Sequence, residues 1–145
     1  MTITLDASMT LGWHIKRVDS NEAALADSAL RLVGLHGALV PALWYLEVAN
    51  GLLLAERRRV RTIQETTTFL SDLALLDIDM DTESPHALQS WLISFGRSTQ
   101  LTAYDATYLE LAIRTNSTLA TFDRKLAEAA RSAGVPVFGD PPPTP

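Results

Sequence analysis

The chain has 145 residues, of which 47% are hydrophobic and 20% are charged, and this balance is typical of a globular protein with a single core. The absence of cysteine excludes disulfide bonds and thiolate metal sites. A net charge of −5 argues against a protein that binds nucleic acid through a broad basic surface.

Strand-like and helix-like stretches alternate along the chain. Ser20 or Asn21 is expected to cap the first helix, Ser84 followed by Pro85 begins a later one, and Gly134 ends the last. In chain order we predict a strand at 2–5, a helix at 20–35, a strand at 38–42, helices at 43–59 and 62–76, a strand at 76–80, helices at 84–98 and 102–116, a strand at 118–122, a helix at 123–134 and a strand at 135–138.

This alternation predicts an α/β fold. Strands joined by helices form right-handed crossovers, which give a three-layer α/β/α sandwich with a mostly parallel central sheet. Such sheets bind ligands at the carboxyl ends of their strands. We expect one domain over residues 1–139 and a disordered, Pro-rich tail at 140–145.

The start of the chain lacks the features of a signal peptide, because no basic segment precedes "TITLDAS". The longest apolar-rich stretch, residues 41–55, is too short to span a bilayer. We therefore expect a cytoplasmic protein.

The acidic stretch "LLDIDMDTE" at 75–83 resembles a calcium loop, but its spacing is wrong. Counted from Asp77, the glycine of such a loop is replaced by Thr82 and its final glutamate by Leu88. Simple alternation accounts for the stretch as a half-exposed strand, which we expect at a sheet edge. The acids that we expect to point outward, and not to bind metal, are Asp77, Asp79 and Asp81, opposite Leu76, Ile78 and Met80.

Two acids lie on helix faces that are otherwise apolar. Asp105 has apolar neighbours at helical spacing, whereas Glu110–Arg114 predicts a solvated ion pair on the opposite side. Glu47 and Asn50 lie three residues apart in a long apolar helix. A buried carboxylate is costly unless it is paired. Helix capping by Asp105 and a structural bond between Glu47 and Asn50 are the ordinary alternatives.

Two further acids follow predicted strands, each with a hydroxyl two residues away. Asp6 is followed by Ser8, and Asp123 is preceded by Thr121. Side chains at this spacing face the same way in extended backbone. Asp123 is also a good cap for the helix after it.

These four acids can converge at one edge of the sheet. Four close carboxylates repel one another unless a divalent cation neutralises them. With no cysteine and three scattered histidines, oxygen ligands and hence Mg²⁺ or Mn²⁺ are favoured over Zn²⁺.

At these residues the chain resembles the PIN-domain ribonucleases, specifically the VapC-type toxins of toxin–antitoxin pairs. The matching stretches, in order, are "LDAS", "PALWYLEVANGL", "LTAYDATYLELA" and "LATFDRKLAEAA". The resemblance implies a PIN-like nuclease domain over residues 1–139. It also implies that Asp6, Glu47, Asp105 and Asp123 form the catalytic set, that Asp6, Asp105 and Asp123 bind Mg²⁺ or Mn²⁺, and that Thr121, Ser8 and Asn50 support them.

The implied activity is metal-dependent hydrolysis of RNA, which leaves a 5′-phosphate and a 3′-hydroxyl. The implied partner is a cognate antitoxin, and the negative site predicts that its inhibitory tail is basic. We also expect a homodimer, because Trp13, Trp44 and the apolar-rich helix around Trp44 provide more large side chains than so small a domain needs inside. The resemblance to paired toxins also implies self-association.

Other functional classes remain open. One is a catalytically silent binding module with a PIN-like fold. Another is a phosphatase or phosphotransfer domain, although the D-x-D of one such family is absent after Asp6. The basic run at 57–61 is either a solvated helix end or a phosphate-contacting segment.

Overall fold

The structure is a computed structural model that describes residues 1–142 and residue 144. Within this part, the chain forms four strands and seven helices. The strands are β1 (Ile3–Leu5), β2 (Ala38–Val40), β3 (Ile78–Met80) and β4 (Thr118–Ala120). The helices are α1 (Ala7–His14), α2 (Ser20–His36), α3 (Ala42–Arg57), α4 (Ile63–Leu73), α5 (Pro85–Thr99), α6 (Ala103–Arg114) and α7 (Arg124–Ser132).

The four strands form one parallel sheet in the order β3-β2-β1-β4. Thr4 of β1 is in register with Leu39 on one side and Leu119 on the other. The predicted α/β fold is therefore confirmed, with helices flanking a parallel sheet. Because β1 and β4 are neighbours, the residues that follow them, Asp6 and Thr121, meet at the carboxyl edge of the sheet.

The core lies between the sheet and its helices. Helix α6 packs against β1 and β4 as well as α5 and α7, while α1 packs against α2 and α3. Leu5, Tyr108 and Leu109 are fully buried. None of the helices in the described part of the chain has the length and apolarity that a membrane-spanning helix needs.

Helix α1 is an element that the sequence analysis does not predict. It begins directly after Asp6, and Thr10 and Gly12 give its eight residues a weak helical signal. Gly12 is needed for close packing, because a Cβ at this position would lie 2.9 Å from a ring carbon of Phe122. This helix brings Ser8 back over the end of β1.

The predicted final strand at 135–138 is wrong. Within the described residues it is reduced to one parallel bridge between Leu119 and Val137. Two backbone hydrogen bonds hold it, from Leu119 N to Pro136 O and from Phe138 N to Leu119 O, each 2.8 Å long. Pro136 has no N–H to donate, so the pairing cannot extend as a regular ladder.

Strand β3 lies at the sheet edge, as predicted, but its alternation is only partly observed. Asp77 and Asp79 are exposed, whereas Met80, expected to point inward, is half exposed. Asp81 is not solvated, because both of its carboxylate oxygens accept hydrogen bonds from Arg114. The predicted Glu110–Arg114 pair is present, with an N–O distance of 2.7 Å, but it is not solvated as expected, because Glu110 is buried.

One predicted helix cap is wrong, one is confirmed, and the capping alternative for Asp105 is excluded. Asp19, rather than Ser20 or Asn21, caps α2 by accepting a hydrogen bond from Glu22 N. Thr102 caps α6 by accepting one from Asp105 N, so the Asp105 carboxylate is not the cap. Ser84 caps α5 as predicted.

The tryptophans do not supply a surplus of exposed apolar surface. Trp44 is buried and its indole N–H donates to Thr10 Oγ1, while Trp13 is partly buried and donates to the Ala26 carbonyl. The argument for a homodimer from these two side chains is therefore wrong, and the dimer itself stays a prediction.

The proposed tail begins at a residue that is held in place. Asp140 forms an ion pair with Arg131, with N–O distances of 2.7 and 2.8 Å. Positions 143 and 145 of the predicted disordered tail lie outside the described residues, and the domain boundary at 139 stays a prediction.

Candidate active site

Asp6 occupies the centre of the carboxyl edge of the sheet. It follows β1 directly and is only 6% exposed. Its Oδ2 accepts two hydrogen bonds of 2.6 Å, one from Ser8 Oγ and one from Thr121 Oγ1. Oδ1 accepts no hydrogen bond from any described residue, so its lone pairs are available to a ligand.

The two hydroxyls also join neighbouring segments. Ser8 Oγ accepts a hydrogen bond from Phe122 N, and Thr121 Oγ1 accepts one from Asp123 N, each 2.9 Å long. The i, i+2 spacings noted in the sequence thus correspond to direct contacts, although Ser8 lies in α1 rather than in extended backbone. These bonds fix the loop after β4 against Asp6.

Asp123 lies at the start of α7, where it is the N-cap. Its Oδ1 accepts a 3.0 Å hydrogen bond from Leu126 N. Its other oxygen has no hydrogen-bond partner among the described residues. One oxygen therefore stabilises the helix while the other is available beside Asp6.

Glu47 enters the site from α3 and is held by a tyrosine. The Tyr108 hydroxyl donates a 2.6 Å hydrogen bond to Glu47 Oε1. Tyr108 is fully buried, and burial followed by the charge of Asp6 raises its pKa, so it remains a protonated donor. Tyr108 is not among the predicted site residues, although its position three residues after Asp105, on the same helix face, is a signal that the sequence contains.

Asp105 and Asn50 have different surroundings. Asp105 is half-buried near the start of α6 and its carboxylate is free of the capping role that Thr102 takes. Asn50 is exposed on α3 and makes no side-chain hydrogen bond with the described residues. The structure thus brings the four acids, Ser8 and Thr121 to one edge, while a supporting role for Asn50 stays a prediction.

The four carboxylates repel one another. Burial chiefly raises the pKa of Asp6, with additional raising by the charges of Glu47 and Asp123 against the lowering effect of the two hydroxyls. Burial also raises the pKa of Glu47, and Asp105 and Asp123 add to this. Burial and then the charge of Asp123 raise the pKa of Asp105. No basic side chain of the described residues forms an ion pair with any of the four.

The chemistry of this donor set suits a hard divalent cation. All its side-chain donors are oxygens, and their uncompensated charge favours Mg²⁺ or Mn²⁺. Across residues 1–142 and 144, no three acidic or histidine side chains are already gathered closely enough to hold an ion as they stand. The charges of neighbouring acids contribute to the raised pKa values of Asp6, Glu47 and Asp105, so the carboxylates lie near one another, and a cation would have to draw them closer.

A parallel α/β sandwich with acids at this edge is the architecture of a PIN domain. The sequence model of the PIN domain matches residues 3–132, and the chain belongs to that family.

Two solved structures have a similar fold. PAE2754 from Pyrobaculum aerophilum is 19% identical, with a TM-score of 0.61 over 88% of this chain and 84% of that one. FitAcB from Neisseria gonorrhoeae is 17% identical, with a TM-score of 0.54 over 96% of this chain and 97% of that one. At these identities the likeness shows the shared fold. A comparison with curated proteins gives no significant match.

Proposed function

We propose that this PIN domain is a Mg²⁺- or Mn²⁺-dependent ribonuclease, and that it is a VapC-type toxin controlled by an antitoxin. PIN domains are typically metal-dependent nucleases. The observation that carries the proposal is the convergence of four carboxylates, without a basic partner among the described residues, at the carboxyl edge of the sheet. An arrangement that costs stability is expected where function needs it.

Asp6, Asp105 and Asp123 are the proposed cation ligands. Each comes from a different element, and the uncapped oxygen of Asp123 and Oδ1 of Asp6 are available. When bound, the cation would supply positive charge that makes water a better nucleophile and stabilises the phosphodiester as it breaks. These residues orient that charge against the scissile phosphate.

The other residues position this set. Ser8 and Thr121 hold Asp6 in one orientation through its Oδ2. Tyr108 holds Glu47, and burial raises the pKa of this carboxyl, which suits a group that exchanges a proton with water. Asn50 has the weakest support in this set, because its exposed side chain makes no hydrogen bond with the described residues.

Cleavage of RNA by the purified chain tests the activity. We expect cutting in Mg²⁺ or Mn²⁺, none in EDTA, and products with a 5′-phosphate and a 3′-hydroxyl. Catalytically inactive protein that binds RNA would instead support a silent PIN-like binding module. End-mapping of RNAs after controlled expression in cells would identify the target and show whether expression arrests growth, as the toxin role requires.

A further inference from the structure

A positive charge is fixed beside the acidic site. The Arg17 guanidinium lies over the ring of Phe122, 4.5 Å from its centroid. Phe122 stands between Thr121 and Asp123 and its backbone N–H is bound by Ser8. The Ser8 hydroxyl that holds Asp6 therefore also fixes Phe122, the residue against which the Arg17 guanidinium packs.

Arg17 uses only part of its hydrogen-bonding capacity within the described residues. Its Nε donates a 2.7 Å hydrogen bond to Glu22 Oε2, while neither Nη atom has a partner among the described residues. The side chain is 39% exposed. Gly12 allows the Phe122 ring to pack closely against α1, so the ring that contacts Arg17 is confined. The N–H donors of both Nη atoms are therefore available to a ligand.

A surface groove connects this arginine to the site. It has a volume of about 860 Å³, and its lining includes Ser8, Gly12, Lys16 and Arg17. It therefore runs from the hydroxyl that holds Asp6 along α1 to Lys16 and Arg17. Two acids also line this end: Asp19, which caps α2, and Glu22, which pairs with Arg17.

A second basic segment adjoins this end. Arg61 Nε donates a 3.0 Å hydrogen bond to the His14 carbonyl, which brings the segment 57–61 to the end of α1. Positions 16–17 and 57–61 together contain six of the twelve Lys and Arg residues of a chain with net charge −5. The basic residues at 57–59 are exposed.

We propose that Arg17 binds a backbone phosphate of the RNA next to the one that is cleaved, and that Lys16 and the basic segment 57–61 continue the contact along the strand. This inference rests on the proposed ribonuclease function. The four acids repel the phosphates that flank the scissile one, so the strand needs a separate cationic contact near them. A guanidinium with two free Nη atoms matches the geometry of a phosphate.

The decisive measurement is steady-state cleavage of a single-stranded RNA oligonucleotide in Mg²⁺. For Arg17→Gln we expect KM to rise about tenfold with kcat within about twofold, because the contact is made to substrate and transition state alike. The slope of log affinity against log salt should fall by about 0.7, the value for one lost phosphate contact on a single strand. Lys16→Gln, at an exposed position, should raise KM by about threefold.

Glu22→Gln separates this proposal from a purely structural ion pair. If Arg17 and Glu22 only stabilise the fold, both variants lose stability alike and neither changes KM. If Arg17 binds phosphate, Glu22→Gln keeps or lowers KM while Arg17→Gln raises it. Arg31→Gln, an exposed charge-matched change on α2, should leave KM unchanged.

The outcomes are distinguishable. Wild-type protein that does not cleave RNA would remove the proposed function itself. Wild-type cleavage with an unchanged KM and salt slope in folded Arg17→Gln and Lys16→Gln would overturn the phosphate contact alone. The same unchanged values, together with loss of a co-purifying protein, would assign Arg17 to a protein interface and also overturn it.

Discussion

The two oxygens of a single carboxylate have different surroundings at both Asp6 and Asp123. At Asp123, one oxygen caps α7 and the other has no partner among the described residues. At Asp6, Oδ2 takes both hydroxyl bonds and Oδ1 takes none. Capping and cation binding at Asp123 are therefore compatible rather than competing.

Asp105→Asn and Asp123→Asn are each expected to abolish cleavage while the protein stays folded. Loss of a ligand should cost more than about the hundredfold that outer-shell changes reach. Asn is as good an N-cap as Asp, so α7 should persist in Asp123→Asn. Asp105→Asn removes a repulsive charge, so it should not lower the melting temperature of the metal-free protein. Near-normal cleavage by either purified variant would remove that residue from the site.

His14 is a buried titratable residue away from the acids. Its Nε2 is buried and has no hydrogen-bond partner among the described residues, and its ring lies 4.5 Å from that of Phe69. Burial, followed by the charge of Arg61, lowers its pKa, while Glu65 opposes this shift. The folded protein therefore favours neutral His14.

Folding should weaken in mild acid because of His14. As pH falls, His14 is protonated in the unfolded chain before it is protonated in the folded protein. Its contribution to the free energy of unfolding is therefore fully present above the unfolded pKa of about 6.5, and it is lost as pH falls toward the lowered folded pKa. Between those two pKa values the loss is about 1.4 kcal/mol per pH unit. Urea unfolding at several pH values from about 7 to about 5 should show that the free energy of unfolding of the wild type falls relative to that of His14→Phe. Parallel curves for the two proteins would contradict this.

At the scale of elements, Arg114 ties α6 to the end of β3. Its Nη1 and Nη2 donate to Asp81 at 3.1 and 2.6 Å, and its Nε donates to Glu110 at 2.7 Å. Glu110 is only 6% exposed, so Arg114 compensates a buried charge. Asp81, in the acidic stretch at 75–83, thus has a structural partner on α6.

Arg114→Met should destabilise the fold without abolishing cleavage. Stranding a buried carboxylate costs about 3–5 kcal/mol when the pair is fully buried, and the partial exposure of Arg114 reduces our expectation to about 2–3 kcal/mol. Chemical unfolding measures the loss.

Two neighbouring changes serve as controls. Asp81→Asn should cost about 1 kcal/mol. The exposed pair Asp77→Asn with Asp79→Asn should change neither stability nor cleavage. Loss of metal binding in that folded double variant would show that the acidic stretch at 75–83 takes part in the metal site.

Some elements could be predicted from sequence and others could not, for physical reasons. The parallel strands follow from short β-branched and apolar runs between amphipathic helices. Helix α1 could not be predicted, because Thr10 and Gly12 weaken its helical signal and its formation depends on packing against α2 and α3. The segment 135–138 has strand-like side chains, but Pro136 removes a donor and leaves one bridge.

The same distinction applies to the site. Its acids could be found because carboxylates on apolar faces and at strand ends are costly without a partner. Asn50 shares the helical spacing of Glu47, but burial of Trp44, Val48 and Leu52 fixes the rotation of α3 and leaves Asn50 exposed. The rotation of α3 about its axis depends on tertiary packing, and the spacing of Glu47 and Asn50 along the sequence does not predict it.

At the scale of the whole molecule, α3 offers an apolar surface for self-association. Leu46 and Leu53 are seven residues apart, hence on one side of the helix, and are 70% and 47% exposed. We expect a homodimer through this face. Light scattering at micromolar concentration should give twice the chain mass of 15.9 kDa for wild type and one chain mass for Leu53→Glu. Leu35→Glu, on exposed α2 surface, is the control, and a monomeric wild type would contradict the dimer.

The charge distribution of the whole molecule also indicates the chemistry of an inhibitor. The four acids form a negative edge on a chain of net charge −5, and no described basic side chain pairs with them. A basic segment of a partner would be drawn to this edge. Arginine suits it best, because its planar fork can bridge two carboxylates and replace the charge of the cation.

We therefore expect an antitoxin whose short, basic, partly disordered tail crosses the site and contacts Asp6, Glu47, Asp105 or Asp123. Co-purification from the native operon should recover the pair in an inactive form. Changing the arginines of the tail to glutamine should release nuclease activity by at least about tenfold, since a charge-assisted contact to a carboxylate contributes about 1.5–3 kcal/mol. A complex whose contacts lie wholly away from the acids would rule out direct occlusion, and inhibition would then act through RNA access or the dimer.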